Sequence, residues 1–437
     1  MNTAAINRRQ LLKSATLTAV ATGLSGKGVY AANAAPNTAE TITATADNEA
    51  YWASIAKQYD VTRAITHVEN GNWGMMARPV METYIEATKR VNFENSYYAR
   101  RQFGKDFVAI RDDVANRLGV KPTEVALTRG ATEALKNIIG GYNRLTPGDT
   151  VMMADLDYGS IQACMTAASK RVGCSTVMLS VPEPASHDDL IAFYEEAFDK
   201  HPKTRLLLLT HISHRTGLVM PVKAIAERAR ARNIDVVVDA AHSWGQMDFS
   251  AASLGADFIG FNLHKWIGAP LGVGAMVIRE SKLKDIDPDI AAGDYERDRI
   301  EGRIHTGTSN FAALLSVPAA FTFHDSIGGS KKEARLRYLR NIWVQKCRPV
   351  DGIDILTGDD SRLHAGITSF RFSGQTSAEQ NKAVAKYLLE NHGVFTVHRT
   401  GVNAGACIRV TPALFNSADD MEKTARAIID ARQKFGA

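Results

Sequence analysis

The stretch FNLHKWIGAPLGVG (261–274) places Lys265 between an apolar run and a glycine-rich segment. Burying a lysine in such a setting carries a desolvation cost, which lowers the pKa of its amine. An amine with a lowered pKa is a good nucleophile for a carbonyl carbon and forms a Schiff base with it. The alternative is a lysine whose stem covers apolar surface while its amine reaches water. The residues around Lys265 decide between these two interpretations.

Two further segments could complete a cofactor site around this lysine. Asp239 ends the apolar run DVVVD, and ligands bind at the carboxyl ends of strands in open α/β sheets. A carboxylate there can keep a heteroaromatic ring nitrogen protonated, which makes the ring an electron sink; the alternative is an aspartate that caps a turn. Gly130, Ala131 and Thr132 open a predicted helix. They form either a phosphate site or an ordinary helix cap.

Strands and helices that would position these residues alternate along the chain. Seven short apolar runs are strand candidates: EVALT (124–128), TVMMADL (150–156), STVMLSV (175–181), RLLLLTHIS (205–213), DVVVDAA (235–241), ADFIGFN (256–262) and GVGAMVIR (272–279). Such runs are typical of strands buried on both faces, and helical patterns lie between several of them. The alternation predicts a mostly parallel sheet wrapped by helices. Beyond residue 310, a helical stretch (311–349) and then mixed strands and helices indicate a smaller α+β domain.

The first 34 residues form a segment of a different kind. They combine the basic sequence NRRQLLK with a weakly apolar run and an A-N-A cleavage signal (32–34), as signal peptides do. The pair Arg8 and Arg9 resembles the twin-arginine signal, whose route exports folded proteins. We therefore predict a periplasmic protein that passes through the twin-arginine export machinery; an ordinary secretion signal is the alternative.

Composition restricts the classes of partner. The formal net charge is +5, and four positive charges and no acidic residue lie in 1–34, so the rest of the chain is near +1 (5 − 4). This balance gives no indication of nucleic-acid binding. No apolar run approaches the roughly 20 residues of a membrane helix, so stable membrane insertion is not expected. The four cysteines show no metal-ligand spacing, and one disulfide of unassigned pairing is possible. His211 and His214 would point to opposite faces of a strand, so no metal site is predicted.

The segment VVVDAAHSWGQMDFSAASLGADFIGFNLHKW resembles the signature of class V aminotransferases, which are fold-type-I enzymes dependent on pyridoxal 5'-phosphate. The pattern is Asp-x-Ala-His, Leu-Gly-x-Asp and His-Lys-Trp, and five separated blocks match in order over most of residues 60–437. The likeness is closest to the isopenicillin N epimerase-like branch, whose members include exported enzymes that tailor siderophores.

The resemblance implies an α/β fold-type-I architecture in which a large domain carries a mostly parallel seven-stranded sheet. We predict a signal peptide (1–34), an N-terminal arm and entrance loop (35–75), a large cofactor-binding domain (76–310) and a small C-terminal α+β domain (311–437). The cofactor implied is pyridoxal phosphate, and no metal is implied.

The resemblance also implies roles around the cofactor ring. Lys265, as the catalytic residue, would bind the cofactor covalently, and Asp239 would pair with its ring nitrogen. His242 would lie near the ring hydroxyl, and Tyr158 would stack on the ring face. His214 would lie near the ring at a position where many members have asparagine, so its contact with the ring hydroxyl is left open.

Further positions match the phosphate-binding residues of the family. Ala131 and Thr132 would hold the phosphate from one side, and Asn262 and His264 from another. Thr308, in HTGTSNFAALL, resembles a threonine that reaches the phosphate of the neighbouring subunit, which implies a homodimer.

Two positions match the substrate side of the family site. Arg409 corresponds to the arginine that grips the substrate carboxylate, for which a bidentate guanidinium is well suited. Asn72 belongs to NGNWG (70–74), which resembles the loop lining the substrate entrance.

The predicted function is therefore that of an exported enzyme acting on the amino group or α-carbon of an amino acid or an amino-acid-containing peptide. Amino transfer, epimerisation and elimination stay open, and so does tailoring of a siderophore or another secreted product. A desulfurase-like enzyme is disfavoured because Cys407 lies two residues before Arg409, within a predicted strand. A catalytically silent binding protein is a further alternative. A dehydrogenase would need G-x-G-x-x-G after the first strand, which TRGATEALKNIIGG lacks.

Overall fold

The computed structural model describes residues 46–293 and 297–436. The predicted signal peptide, the cleavage site and the beginning of the N-terminal arm lie outside the described residues. No helix within the described ranges is both long enough and apolar enough to cross a membrane.

Helices and strands alternate along the described chain. The helices are α1 (Glu49–Ala56), α2 (Arg78–Arg101), α3 (Phe103–Leu118), α4 (Ala131–Gly141), α5 (Gly159–Val172), α6 (His187–Lys200), α7 (Val222–Ala231), α8 (Phe311–Leu315), α9 (Val317–Ile327), α10 (Gly329–Cys347), α11 (Ala378–His392) and α12 (Ala418–Phe435). The strands are β1 (Thr66–His67), β2 (Val125–Thr128), β3 (Thr150–Ala154), β4 (Ser175–Leu179), β5 (Thr204–Thr210), β6 (Asp235–Asp239), β7 (Phe258–Asn262), β8 (Gly274–Ile278), β9 (Ile353–Ile355), β10 (Thr368–Phe372), β11 (Val394–Phe395), β12 (Val397–Arg399) and β13 (Cys407–Val410).

Strands β2 to β8 form one seven-stranded sheet in the order β2-β8-β7-β6-β5-β3-β4. All pairs from β7 to β4 are parallel, whereas β8 is antiparallel to both β2 and β7. Residues 263–273, which join β7 to β8, are too few for the usual helical crossover between parallel strands, so β8 returns antiparallel. The prediction of a mostly parallel seven-stranded sheet is confirmed. This connection carries Lys265 at the carboxyl end of β7.

The two faces of the large sheet are both covered, as apolar strands require. In β5, Leu207 and Leu209 pack into the core that includes α6 and α7, while Leu206 and Leu208 pack into the core that includes α4 and α5. Successive strand residues point to opposite faces, so one apolar run supplies both cores. Each buried leucine contributes about 1.5–3 kcal/mol. The sheet is therefore a rigid base for the residues at its carboxyl edge.

The C-terminal elements form a smaller unit of a different kind. Strands β9, β10, β12 and β13 make an antiparallel sheet in the order β12-β13-β10-β9, and α10, α11 and α12 share a core with it. Strand β1 pairs in parallel with β11, so the N-terminal segment is attached to this unit and then continues as residues 69–74 to the edge of the large sheet. The α+β character of this part is as expected, while the predicted domain boundaries stay predictions.

Candidate active site

One cavity of about 560 Å³ lies at the carboxyl edge of the large sheet. Eleven of the twelve site residues predicted from the sequence line it: Asn72, Ala131, Thr132, Tyr158, His214, Asp239, His242, Asn262, His264, Lys265 and Arg409. The twelfth, Thr308, is exposed and does not line this cavity. Its predicted role requires a second subunit and stays a prediction. The structure thus brings together residues that are up to 337 positions apart in the chain (Asn72 to Arg409).

The amine of Lys265 is held against a histidine. Lys265 Nζ lies 2.8 Å from His242 Nε2, and the indole N–H of Trp266 donates to His242 Nδ1 at 3.4 Å. Because Trp266 can only donate, Nδ1 is the acceptor and the ring proton lies on Nε2, facing the amine. Burial, and then the positive charge of Arg409, lower the pKa of Lys265 to about 7. Near neutral pH much of this amine therefore has a lone pair and can attack a carbonyl.

The backbone of Lys265 is fixed by contacts from two other segments. Gly74 donates its backbone N–H to the carbonyl of His264 at 2.9 Å, and the buried amine of Lys332 donates to the carbonyl of Trp266 at 2.9 Å. A Cβ on Gly74 would lie only 1.6 Å from the Lys265 carbonyl oxygen. The glycine is therefore required for this close approach, which fixes the loop at residues 70–74 against Lys265.

Replacing Gly74 with alanine is expected to destabilise the protein by about 1–3 kcal/mol, because the new methyl group forces the Lys265 backbone to move. Urea unfolding of the apo protein measures this change. Gly104→Ala is the matched control: it lies in the first turn of α3, where an added Cβ would have nothing within 4 Å, so it should be neutral or stabilising by up to about 1 kcal/mol. Equal unfolding midpoints for the two variants would contradict the packing described.

Asp239 lies at the carboxyl end of β6 with 5% of its surface exposed. Its Oδ1 accepts the backbone N–H of Ala241 at 2.9 Å. Burial raises the pKa of Asp239, while this hydrogen bond and the charge of Lys265 oppose the rise. A cation placed next to the carboxylate would stabilise its ionised form. The position is therefore suited to a protonated ring nitrogen.

Asp157 supports the same edge of the sheet and was not identified from the sequence. Its carboxylate accepts the hydroxyl of Thr210 at 2.6 Å and the backbone N–H of Ala154 at 2.7 Å. Burial raises the pKa of Asp157 to about 7, and the nearby charge of Asp239 adds to the rise. These bonds join the ends of β3 and β5 and orient Thr210, which lines the cavity.

The start of α4 forms one end of the cavity, and Asn262 holds it in place. Asn262 Oδ1 accepts the backbone N–H of Ala131 at 2.8 Å, which leaves the amide N–H groups of Asn262 as its donors toward a ligand. A Cβ on Gly130 would lie 2.9 Å from the same oxygen, so this approach also needs glycine. Backbone N–H groups at a helix N-terminus attract phosphate. The arrangement is compatible with the predicted phosphate site.

His264 has one ring nitrogen already engaged. Its Nδ1 lies 2.9 Å from the carbonyl oxygen of Val273 and must donate to it. Burial lowers the pKa of His264, and the bond to Val273 opposes that change. In the neutral ring Nε2 has no proton to give, so His264 can donate to a phosphate only when it is protonated. A bound dianion would favour that protonated form.

Tyr158 and His214 form an aromatic pair on another side of the cavity. Their rings are perpendicular, with centroids 5.3 Å apart. Burial, followed by the charge of Arg215, keeps the pKa of His214 well below its usual range, so the ring is neutral. Its Nδ1 is buried and has no hydrogen-bond partner among the described residues. This nitrogen is available to a polar group of a bound ligand.

The predicted carboxylate-binding residue, Arg409, already has a protein partner. Its Nη2 donates to both oxygens of Glu69, at 2.6 and 2.7 Å. Arg399 also reaches Glu69, at 3.2 Å, and lines the cavity. Neither Glu69 nor Arg399 was identified from the sequence, although Glu69 directly precedes the NGNWG loop and Arg399 lies in the stretch before Cys407.

These features define a pyridoxal phosphate site of the fold-type-I class: a lysine after a sheet strand, a buried carboxylate and a helix N-terminus around one cavity. A model of the family described as Aminotransferase class-V matches residues 76–423, and the chain belongs to that family. Its members use pyridoxal 5'-phosphate, which is the cofactor that membership indicates.

Curated and solved relatives agree with this assignment. Isopenicillin N epimerase of Amycolatopsis lactamdurans is 25% identical over 400 residues, which cover 86% of this chain and 98% of the relative. The cysteine desulfurase CsdA from Escherichia coli has the same fold, with a TM-score of 0.73 at 18% identity over 88% of this chain and 99% of its own. So does C-DES, solved with glycine covalently linked to its PLP cofactor, with a TM-score of 0.73 at 20% identity over 86% of this chain and 98% of its own.

The residues present fit pyridoxal phosphate. The amine of Lys265 has a depressed pKa, the carboxylate of Asp239 is buried, and the N-terminus of α4 begins at Ala131. His214 lines the same cavity, and its buried Nδ1 has no hydrogen-bond partner among the described residues. These groups therefore match the parts of the cofactor: Lys265 its aldehyde carbon, Asp239 its ring nitrogen, the start of α4 its phosphate, and His214 a polar ring substituent.

Proposed function

We propose that this chain is an exported pyridoxal phosphate enzyme that acts on the amino group or the α-carbon of an amino acid or an amino-acid-containing peptide. The observation that carries the proposal is the amine of Lys265, which lies 2.8 Å from His242 Nε2 and has a pKa of about 7. An amine of this kind, in a cavity that also presents Asp239, would hold the cofactor through its aldehyde carbon.

Each side chain then has a definite task. Bound pyridoxal phosphate supplies an electron sink for charge that develops at the substrate α-carbon. Lys265 would take the α-proton of the substrate as general base. Asp239 keeps the ring nitrogen protonated, and the start of α4 at Ala131 and Thr132 anchors the phosphate. His242 Nε2 donates to the Lys265 amine and so holds it in one position.

Amino transfer and epimerisation are the reactions that we favour. The relatives named isopenicillin N epimerase support the second of them. A persulfide-forming desulfurase reaction needs a nucleophilic cysteine at the substrate, and none of the residues lining the cavity is a cysteine. Cys407 is fully buried in β13, and burial raises the pKa of its thiol to about 11. A lyase that breaks a carbon–sulfur bond without a cysteine nucleophile is the second candidate.

An α-proton exchange experiment tests the proposal. The purified protein, loaded with pyridoxal phosphate, is incubated in D₂O with a panel of L-amino acids and followed by proton NMR. We expect loss of the α-proton signal for at least one of them, and no loss with Lys265→Ala, because the base that removes this proton is gone. Chiral chromatography then detects the D-isomer that epimerisation gives. Separate assays for 2-oxo acid and ammonia distinguish amino transfer, which gives a 2-oxo acid without free ammonia, from elimination, which gives both.

A protein that takes up the cofactor but exchanges no α-proton would contradict the enzymatic proposal for that panel and favour the catalytically silent binding protein. The variant with Arg348 replaced by glutamine serves as a folding control, because Arg348 does not line the cavity. It should exchange α-protons at the wild-type rate.

Export through the twin-arginine machinery remains part of the proposal, and with it a role in tailoring a siderophore or another secreted product. The support is the pair Arg8 and Arg9 with the A-N-A site (32–34). Replacing both arginines with lysine should leave the protein in the cytoplasm, as cell fractionation with immunoblotting would reveal. Periplasmic recovery of the double variant would contradict this route. Homodimer formation, with Thr308 reaching the partner's cofactor, is likewise proposed.

A further inference from the structure

Two arginines share one carboxylate at the wall of the cavity. Arg409 Nη2 contacts both oxygens of Glu69, at 2.6 and 2.7 Å, and Arg399 Nη2 lies 3.2 Å from Glu69 Oε1. Arg409 is 1% exposed and Glu69 is 7% exposed. The register of β12 and β13 produces this pairing. Arg399 is opposite Cys407, so Arg409, two residues further along β13, is its diagonal neighbour on the same face of the sheet.

The segment that carries Glu69 is fixed independently of the two arginines. Strand β1 pairs with β11, and Glu69 itself forms a parallel bridge with Thr411. A Cβ on Gly71 would lie 2.3 Å from Arg409 Nη2, so the backbone after Glu69 is in close contact with the guanidinium of Arg409. The carboxylate and the two arginines therefore form a preorganised cluster, not a chance surface contact.

The hydrogen bonds of this cluster leave donors on Arg399. Arg409 donates from Nη1 to the carbonyl of His214 at 2.7 Å and from Nη2 to Glu69. Within residues 46–293 and 297–436, the side chain of Arg399 makes one hydrogen bond, to Glu69. The Nε atoms of both arginines are buried and have no hydrogen-bond partner in the part of the chain that the structure describes. A carboxylate that enters the cavity therefore meets unpaired N–H groups on Arg399, whereas the Nη2 edge of Arg409 is occupied.

The net charge of this cluster also favours binding of a carboxylate. Two guanidinium groups face one carboxylate, which leaves one positive charge without a counterion in the cluster. Burial, and then the charge of Arg409, lower the pKa of Arg399 to about 10. An additional anion would relieve this repulsion, and a single carboxylate would balance the cluster of Glu69, Arg399 and Arg409.

We propose that Arg399 binds the substrate carboxylate directly and that Glu69 is a positioning residue that holds Arg399 and Arg409 side by side. This inference rests on the proposed function, since it assumes an amine substrate bound at Lys265. It extends the expectation that Arg409 carries out this task, because the exposed donors belong to Arg399. The site then selects amines that have a free carboxylate next to the reacting carbon over amines that lack one.

A pair of probes measures this selection in the holoenzyme. L-Alanine and ethylamine both present an amine, but only L-alanine has a carboxylate. Each is titrated against the visible absorbance of the bound cofactor, and the ratio of the two apparent Kd values is the discrimination. We expect the wild type to prefer L-alanine and Arg399→Gln to lose about 10- to 100-fold of that preference, as for a charge-assisted hydrogen bond. Arg399→Lys should recover part of it.

Arg348→Gln is the matched control. Its side chain is 32% exposed and makes one ion pair at 3.1 Å, compared with 28% and 3.2 Å for Arg399, but it lies outside the cavity. The control should discriminate as the wild type does. The inference is overturned if Arg399→Gln keeps the wild-type ratio while its cofactor absorbance is intact, or if the wild type does not discriminate. Failure of the wild type to bind cofactor at all would instead contradict the proposed function.

A second readout needs no cofactor. Arg399 lowers the pKa of Lys265 and Glu69 raises it. In the apo protein, Arg399→Gln should therefore raise the pKa of Lys265, and Glu69→Gln should lower it. The pH dependence of Lys265 acetylation by acetic anhydride, read by mass spectrometry, gives both values. Shifts of the Lys265 pKa in opposite directions in the two variants support the proposed cluster of charges. Shifts in the same direction, or no shift, overturn the proposal, because loss of a merely structural contact would not shift this pKa in opposite directions.

Discussion

Replacing Lys265 with alanine is expected to lower kcat by about 10²- to 10⁴-fold on whichever substrate is found, because the general base for the α-proton is removed. The variant also loses the amine that lies 2.8 Å from His242 Nε2. Cofactor can then bind through its phosphate and ring alone. Borohydride treatment followed by mass spectrometry should find the cofactor attached to Lys265 in the wild type and no attachment in the variant.

The reactivity of Lys265 should depend on pH in a defined direction. Its pKa is lowered to about 7, chiefly by burial, and only the unprotonated amine is nucleophilic. The rate at which the apo protein captures pyridoxal phosphate should therefore be high above pH 7 and fall as the pH drops through about 7. An exposed lysine with an ordinary pKa near 10.4 would lose reactivity far above neutrality. Stopped-flow absorbance measured across this range distinguishes the two cases.

Lys105 provides the control for both measurements. It is an exposed lysine on α3 that does not line the cavity, so Lys105→Ala should keep wild-type kcat and cofactor capture. Wild-type turnover by Lys265→Ala would contradict the assignment of this lysine. So would cofactor attached by borohydride to another lysine in the wild type.

Local patterns in the sequence were sufficient to predict most of the large sheet. Six of its seven strands are buried along most of their length, and their apolar composition is visible in each run without knowledge of the neighbours. The edge strand β4 is the exception: Ser175, Thr176 and Met178 are exposed, so the expectation of burial on both faces was wrong for this run. Local patterns also indicated Lys265 and Asp239, which adjoin the ends of two buried strands. The reversed direction of β8 was not predicted, because it depends on the short connection after β7 and not on the composition of the strand.

The cluster around Arg409 illustrates what local patterns leave out. Glu69 and Arg409 are 340 residues apart in the chain, and they meet only because β1 pairs with β11 and β13 lies beside β12. No periodicity or spacing encodes that contact. Glu69, next to the NGNWG loop, and Arg399, four residues after Phe395, look like ordinary solvated charges until the strand register is known.

Replacing Asp239 with asparagine is the second change for which a large effect is expected. Asparagine has nearly the same shape, and its oxygen can still accept the N–H of Ala241 that Asp239 Oδ1 accepts at 2.9 Å. What it removes is the negative charge next to the proposed ring nitrogen. Electrostatic groups of this kind contribute about 10²- to 10³-fold to kcat, so a loss of that size is expected, with a smaller effect on cofactor binding.

The same substitution has a second, independent consequence for Lys265. The charge of Asp239 raises the pKa of Lys265 and partly offsets the effects of burial and Arg409. Without that charge the pKa should fall further below about 7, and cofactor capture by the apo protein should persist to lower pH than in the wild type. The direction is fixed by electrostatics and does not depend on which reaction the enzyme catalyses.

Asp155→Asn separates these effects from a general loss of stability. Asp155 is also a buried carboxylate, 7% exposed, and it accepts the backbone N–H of Val181 at 3.0 Å and that of Asn403 at 2.7 Å, but it does not line the cavity. Its variant should lower the Tm while leaving kcat within a few-fold of wild type. If Asp239→Asn and Asp155→Asn reduced kcat equally, the effect of Asp239 would be on folding and not on the charge at the ring. If only Asp239→Asn did so, with the pH profile of Lys265 displaced downward, the carboxylate acts electrostatically on both the cofactor ring and the lysine.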